Sequence, residues 1–162
     1  SVEYGREVVR DNPLGINEGA TPESQLWALM AQVQQELELR TRADILVTDR
    51  SVVDNFAYFL RVTEGADPFG VEPLVRRWAQ TYDLFVRLLP DVALLPDGVR
   101  STSDAFRDEI EAILDRIVPT YVSADRSFRL PASQVTEDYD WWALAERLGR
   151  LVGQPLRDPV KA

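Results

Sequence analysis

The chain has 162 residues, 45% hydrophobic and 28% charged, which suits one ordinary domain with a sizeable core. A formal net charge of −9 opposes a phosphate backbone over most of the surface and argues against nucleic acid as a partner. The absence of cysteine and histidine excludes disulfides and thiolate zinc sites and leaves proton transfer to carboxylates, while the lack of a long apolar run or a signal-like start points to a cytoplasmic protein without a membrane partner.

In chain order, a strand is expected over 1–3 and a short helix over 6–12. Thr21 then caps a helix with Pro22 at its first position, running to about Arg40, with an apolar stripe of Leu26, Trp27, Met30, Val33 and Leu37. Ile45-Leu46-Val47 reads as a short strand buried on both faces of a parallel sheet. Ser51 and Asp54 stand at capping-box spacing, and Val52, Val53, Phe56, Ala57 and Leu60 continue the next helix.

A helix over 71–82 and a second buried strand over 84–89 follow. After a loop, Ser101 or Ser103 caps a helix bearing Phe106, Ile110, Ile113, Leu114 and Ile117. A third strand is expected over 119–122 and a last helix over 139–151. Strands alternating with helices predict an α/β domain with a parallel sheet over residues 1–153, followed by a tail over 154–162.

Three strings carry the chemistry: Glu3-Tyr4-Gly5-Arg6-Glu7, Thr48-Asp49-Arg50-Ser51 and Asp97-Gly98-Val99-Arg100-Ser101. Asp49 follows an apolar strand, where a ligand-facing acid belongs at the carboxyl edge of the sheet; alternatively it caps the next helix. Arg50 can pair with a substrate phosphate or with Glu3. Asp54 and Tyr58 lie on one side of a helix and are candidate substrate contacts, although Tyr58 reads more readily as a core aromatic with its hydroxyl at the surface. Arg100 sits in a glycine-containing loop between strand and helix, the place of a mobile lid. Arg107, about two helical turns on, can face the same way. Ordinary solvated arginines are the plainer reading of both.

In that order and spacing, the three strings resemble the nicotinamide riboside kinase domain of NadR-type proteins and related AAA-type ATP-binding proteins, from residue 2 to about 123. The resemblance implies an ATP- and Mg²⁺-dependent kinase for a nucleoside-like or nicotinamide riboside-like small molecule, built as a P-loop, three-layer α/β/α sandwich. It places Glu3 near the phosphoryl acceptor, Asp49 at the metal, and Arg100 in the lid over the ATP phosphates, where helical spacing lets Arg107 join it. The chain departs from that pattern in one respect: no G-x-x-x-x-G-K-[ST] occurs, and Lys161 is the single lysine beside 17 arginines. In the family's sheet order, 2-3-1-4-5, the strand preceding that loop is central and would lie between 45–47 and 84–89. The expectation is therefore that an upstream segment, or another chain, supplies the first strand and P-loop. A noncatalytic α/β interaction or regulatory domain that has lost nucleotide binding is the alternative.

Overall fold

The computed structural model describes residues 1–93, 101, 103–136, 146, 149 and 150. Four strands and four α-helices alternate: β1 (Val2–Gly5), α1 (Pro22–Leu39), β2 (Ile45–Thr48), α2 (Val52–Val62), α3 (Glu72–Ala79), β3 (Phe85–Leu89), α4 (Asp104–Tyr121) and β4 (Ser127–Pro131). Short 3₁₀ turns occupy Val8–Asp11, Asn17–Gly19 and Ala132–Gln134. These elements form two compact units, one comprising β1 to α3 with α4, the other built on β3 and β4.

Both strand pairs are parallel, as the alternation of elements predicts. In the first unit Val2 to Gly5 register with Ile45 to Thr48, and α1 makes the crossover that a parallel pair requires. In the second, Phe85 to Leu89 register with Ser127 to Pro131. The one parallel sheet expected from the sequence, with a strand's place left open between 45–47 and 84–89, takes the form of two two-stranded sheets among the described residues, with no pairing between β2 and β3.

The strand expected over 119–122 is instead the end of α4. Phe106, Ile110, Leu114, Ile117, Val118 and Tyr121 are all buried at spacings of three and four, so helical periodicity continues through Pro119 to Tyr121. The fourth strand begins only at Ser127. The expected burial of β2 on both faces also fails. Val2, Tyr4 and Val47 are 48%, 73% and 47% exposed, which leaves one face of the β1–β2 pair open. The last expected helix falls largely, and the tail wholly, outside the described residues.

Helix α2 is the hub of the first unit. Ser51 caps it reciprocally with Asp54, as the spacing predicts: the Ser51 hydroxyl accepts from the amides of Val53 and Asp54, and the Asp54 carboxylate accepts the Ser51 amide. At its other end Glu64 takes a positive φ of 53°, and the amides of Glu64 and Gly65 return to the carbonyls of Arg61 and Leu60. Val52, Val53, Phe56, Ala57, Phe59 and Leu60 are buried because α1, α3 and α4 all pack against this helix. Phe56 lies 5.9 Å from both Phe59 and, edge-on, Tyr121.

Helix α1 starts at the predicted Thr21 cap, with Ser24 completing the box, but it turns an unexpected side inward. Ser24, Gln25, Ala28, Leu29, Gln32 and Glu36 are buried, whereas Met30 and Leu37 of the expected stripe are 37% and 43% exposed. Internal hydrogen bonds favour this inversion, since the Gln32 amide nitrogen and the Glu36 carboxylate find partners that replace water, although Gln32 Oε1 has none among the described residues.

Truncating the central ring tests this arrangement. Phe56→Ala should lower unfolding stability by about 3–5 kcal/mol, the cost of deleting a fully enclosed aromatic. Urea denaturation followed by circular dichroism measures it.

Candidate functional site

The site grows from the carboxyl ends of β1 and β2. The ladder extends one step past the strands, the Asp49 amide donating to the Gly5 carbonyl at 2.8 Å. A side chain at position 5 would not fit: its Cβ would lie 2.5 Å from Gln35 Oε1 and 2.9 Å from the Thr48 methyl. Glycine therefore lets α1 close over the strands, and the chain beyond it delivers Glu7 beside the turn that follows β2.

Glu7 is buried, with only 5% of its surface exposed, and its carboxylate holds two arginines. Arg50 Nη2 lies at 2.7 Å from one oxygen and Arg10 Nε at 2.8 Å from the other. Arg50 also lies over the Tyr58 ring, 4.6 Å from its centroid. Burial disfavours the Arg50 charge, but Tyr58, Glu7 and Asp54 together outweigh it and raise the guanidinium pKa above its ordinary value. The backbone of Arg50 has a φ of 74°, a left-handed conformation that costs a non-glycine residue about 1–2 kcal/mol.

Beside this pair opens a cleft of about 200 Å³, bounded by Glu7, Asp49, Arg50 and Tyr58 on one side and by Phe106 and Arg107 of α4 on the other. Tyr58 and Phe106 have ring centroids 6.0 Å apart. Ser103 caps α4, its hydroxyl accepting from the Phe106 amide at 3.2 Å. Ser101, also on the cleft wall, donates to Glu18 and holds that carboxyl below its usual range. Arg107 bonds Asp104 at 3.0 Å, while its buried Nε has no hydrogen-bond partner among the described residues.

Of the residues singled out from sequence, Asp49, Arg50, Tyr58 and Arg107 meet at this cleft. Asp49 is exposed at its mouth. Asp54 instead serves as the reciprocal cap of α2 and is not among the lining residues. Arg100 lies outside the described residues.

Glu3 does not converge with Asp49 as expected. It stands opposite Leu46 within the strand pair, three residues before the level of Asp49, or about 10 Å back along the strand. Arg50 pairs with Glu7 rather than with Glu3. Sequence reasoning took the first acid of the string where the structure uses the second, and it passed over Phe106 and the buried Gln32 and Glu36. The signal available for Glu7 was its place just beyond the strand end, where ligand-facing groups collect.

A family model described as AAA domain matches residues 2–128, and the chain belongs to that family. It is thereby a member of the AAA-type, P-loop-related class, whose character is nucleotide-binding and ATPase-like, and its short parallel strands joined by helices are compatible with that fold. No curated protein and no solved structure matches the chain. Among the described residues no helix is long and apolar enough to cross a membrane.

Proteins of this class generally bind ATP with Mg²⁺, so the residues present can be tested for fit. No group of three or more acidic side chains among the described residues could hold a metal ion. The cleft is smaller than the roughly 300–1,000 Å³ usual for ligand pockets, and the sequence contains no glycine-rich loop with lysine to cradle a triphosphate. The described residues do not by themselves fit ATP.

The buried carboxylate separates the two acids experimentally. Glu7→Gln should cost about 3 kcal/mol or more, because two arginines lose their counter-charge, one of them largely buried. Glu3→Gln should stay within about 0.5 kcal/mol. Paired urea titrations of the two variants measure the difference.

Proposed function

We propose that the chain is the acceptor-binding portion of an ATP-dependent small-molecule kinase, with the cleft taking a polar, hydroxyl-bearing substrate. The observation that carries this reading is the meeting of Asp49, Arg50 and Tyr58 at the carboxyl edge of a parallel strand pair, in a chain of the AAA domain family. Ligands of open α/β sheets gather at that edge. Asp49 is exposed there and suited to accept a hydroxyl proton or to hold a hydrated cation, Arg50 offers a fixed positive charge, and Arg107, paired with Asp104 and Asp108, lines the same cleft.

Holding a triphosphate requires a loop that this sequence lacks. We assign it to a segment outside residues 1–162, in the same polypeptide or in a partner, and the three-layer sandwich of this reading includes that segment's strand. Arg100 is then the lid residue of this reading, while Asp54 supports the site as a helix cap.

A second reading, a noncatalytic interaction domain, is favoured by the open apolar face of Val2, Tyr4 and Val47. Calorimetry separates the two. Residues 1–162 alone should bind MgATP with a Kd no tighter than about 1 mM. The same chain joined to a segment bearing G-x-x-x-x-G-K-[ST] should bind far more tightly, in the range of about 1–100 μM. In that longer protein Asp49→Asn should slow phosphoryl transfer by about 100-fold or more while changing stability by less than about 0.5 kcal/mol. Micromolar binding by residues 1–162 alone would remove the need for the outside segment, and no binding by the longer protein would favour the interaction domain.

A further inference from the structure

Gln32 of α1 is fully buried, and both N–H groups of its side-chain amide are used. One goes to Glu36 Oε1 at 2.8 Å and the other to the backbone carbonyl of Arg50 at 3.1 Å. Glu36 accepts the Trp78 indole N–H of α3 at 2.7 Å through its second oxygen. A relay from α3 through α1 thus ends on the main chain of the residue whose side chain faces the cleft.

The orientation of the amide is decided by its surroundings. Both of its partners are oxygens, so reversing it would set three acceptors against one another. The peptide joining Arg50 to Ser51 is then held at both polar ends, its carbonyl by Gln32 and its N–H by Asp54 Oδ2 at 2.8 Å. That peptide cannot rotate without breaking one of these bonds. Its fixed orientation restrains ψ of Arg50, and with the Asp49 ladder bond holding the preceding side it restrains the turn in which φ is positive and from which the guanidinium reaches Glu7 and Tyr58.

The residue type is otherwise hard to explain. Gln32 sits where α1 meets α2, a place in which an apolar side chain would bury more favourably. Helix α1 carries Met30 and Leu37 on its outer side instead.

We propose that Gln32 is a positioning residue for Arg50, setting the turn after β2 so that the guanidinium stands ready in the cleft. The geometric claim is independent of what the cleft binds; its functional meaning rests on the acceptor-site reading above.

The test is nuclear magnetic resonance on the isotope-labelled 162-residue chain. Gln32→Met keeps the volume and removes both donors, and should speed solvent exchange of the Arg50 Nε proton by about tenfold or more. Trp78→Phe, which loosens the relay but spares the bond to Arg50, should change that rate by less than about twofold. Equal acceleration in both variants would indicate general loosening and overturn the proposal, as would an unchanged rate in Gln32→Met.

If Gln32→Met does not fold, the wild-type chain decides. A scalar coupling across the hydrogen bond from Gln32 Nε2 to the Arg50 carbonyl carbon supports the proposal, and its absence overturns it. Titration with sodium pyrophosphate distinguishes the two layers. If pyrophosphate shifts the Arg50 signal, Gln32→Met should weaken that response by about tenfold. If the exchange results hold and pyrophosphate has no effect, positioning stands and a phosphate contact of Arg50 within the acceptor-site reading falls.

Discussion

The Glu7 carboxylate is the interaction on which the site depends. It lies buried just beyond β1, and by binding Arg10 on one side and Arg50 on the other it ties the chain leaving β1 to the chain leaving β2. Two buried or half-buried charges near one another are tolerable only when each is neutralised, so the pair constrains both turns at once. Arg50 is thereby drawn inward over Tyr58 rather than into solvent, and the wall of the cleft follows from that choice.

The left-handed backbone at Arg50 belongs to the same constraint. Strained residues persist where their surroundings over-determine them, and here the determinants are unusually complete. The ladder bond from Asp49 fixes the chain before the turn, the capping box of Ser51 and Asp54 fixes it after, and Gln32 holds the carbonyl between. Helix α2 therefore begins where the turn leaves it, with its apolar surface already directed toward α1, α3 and α4.

Helix α1 shows how a polar requirement can outrank an apolar stripe. Burying Gln32 and Glu36 sacrifices hydrophobic contact and leaves Gln32 Oε1 without a hydrogen-bond partner among the described residues, yet the Gln32 amide nitrogen and the Glu36 carboxylate reach partners that no apolar residue could serve: the Arg50 carbonyl and the Trp78 indole. The same helix leaves Met30 and Leu37 outward, and the strand pair beneath it leaves Val2, Tyr4 and Val47 outward.

Much of this was legible in the sequence because the signals are local. Thr21-Pro22 and Ser51 to Asp54 announce helix starts through hydrogen bonds spanning three residues, and the apolar runs at 45–47 and 84–89 announce parallel strands, though not with the two-faced burial expected of them. Local signals failed where two of them competed: the stretch ending in Tyr121 has strand-like residues, but its spacing continues a helix that packs on α2. What only the tertiary structure decided is which acid meets Arg50 and which side of α1 faces inward. Glu3 and Glu7 look alike in the string. The register of β1 against β2 carries Glu3 back opposite Leu46 and brings Glu7 to the turn, and that register is set by contacts between segments far apart in the chain.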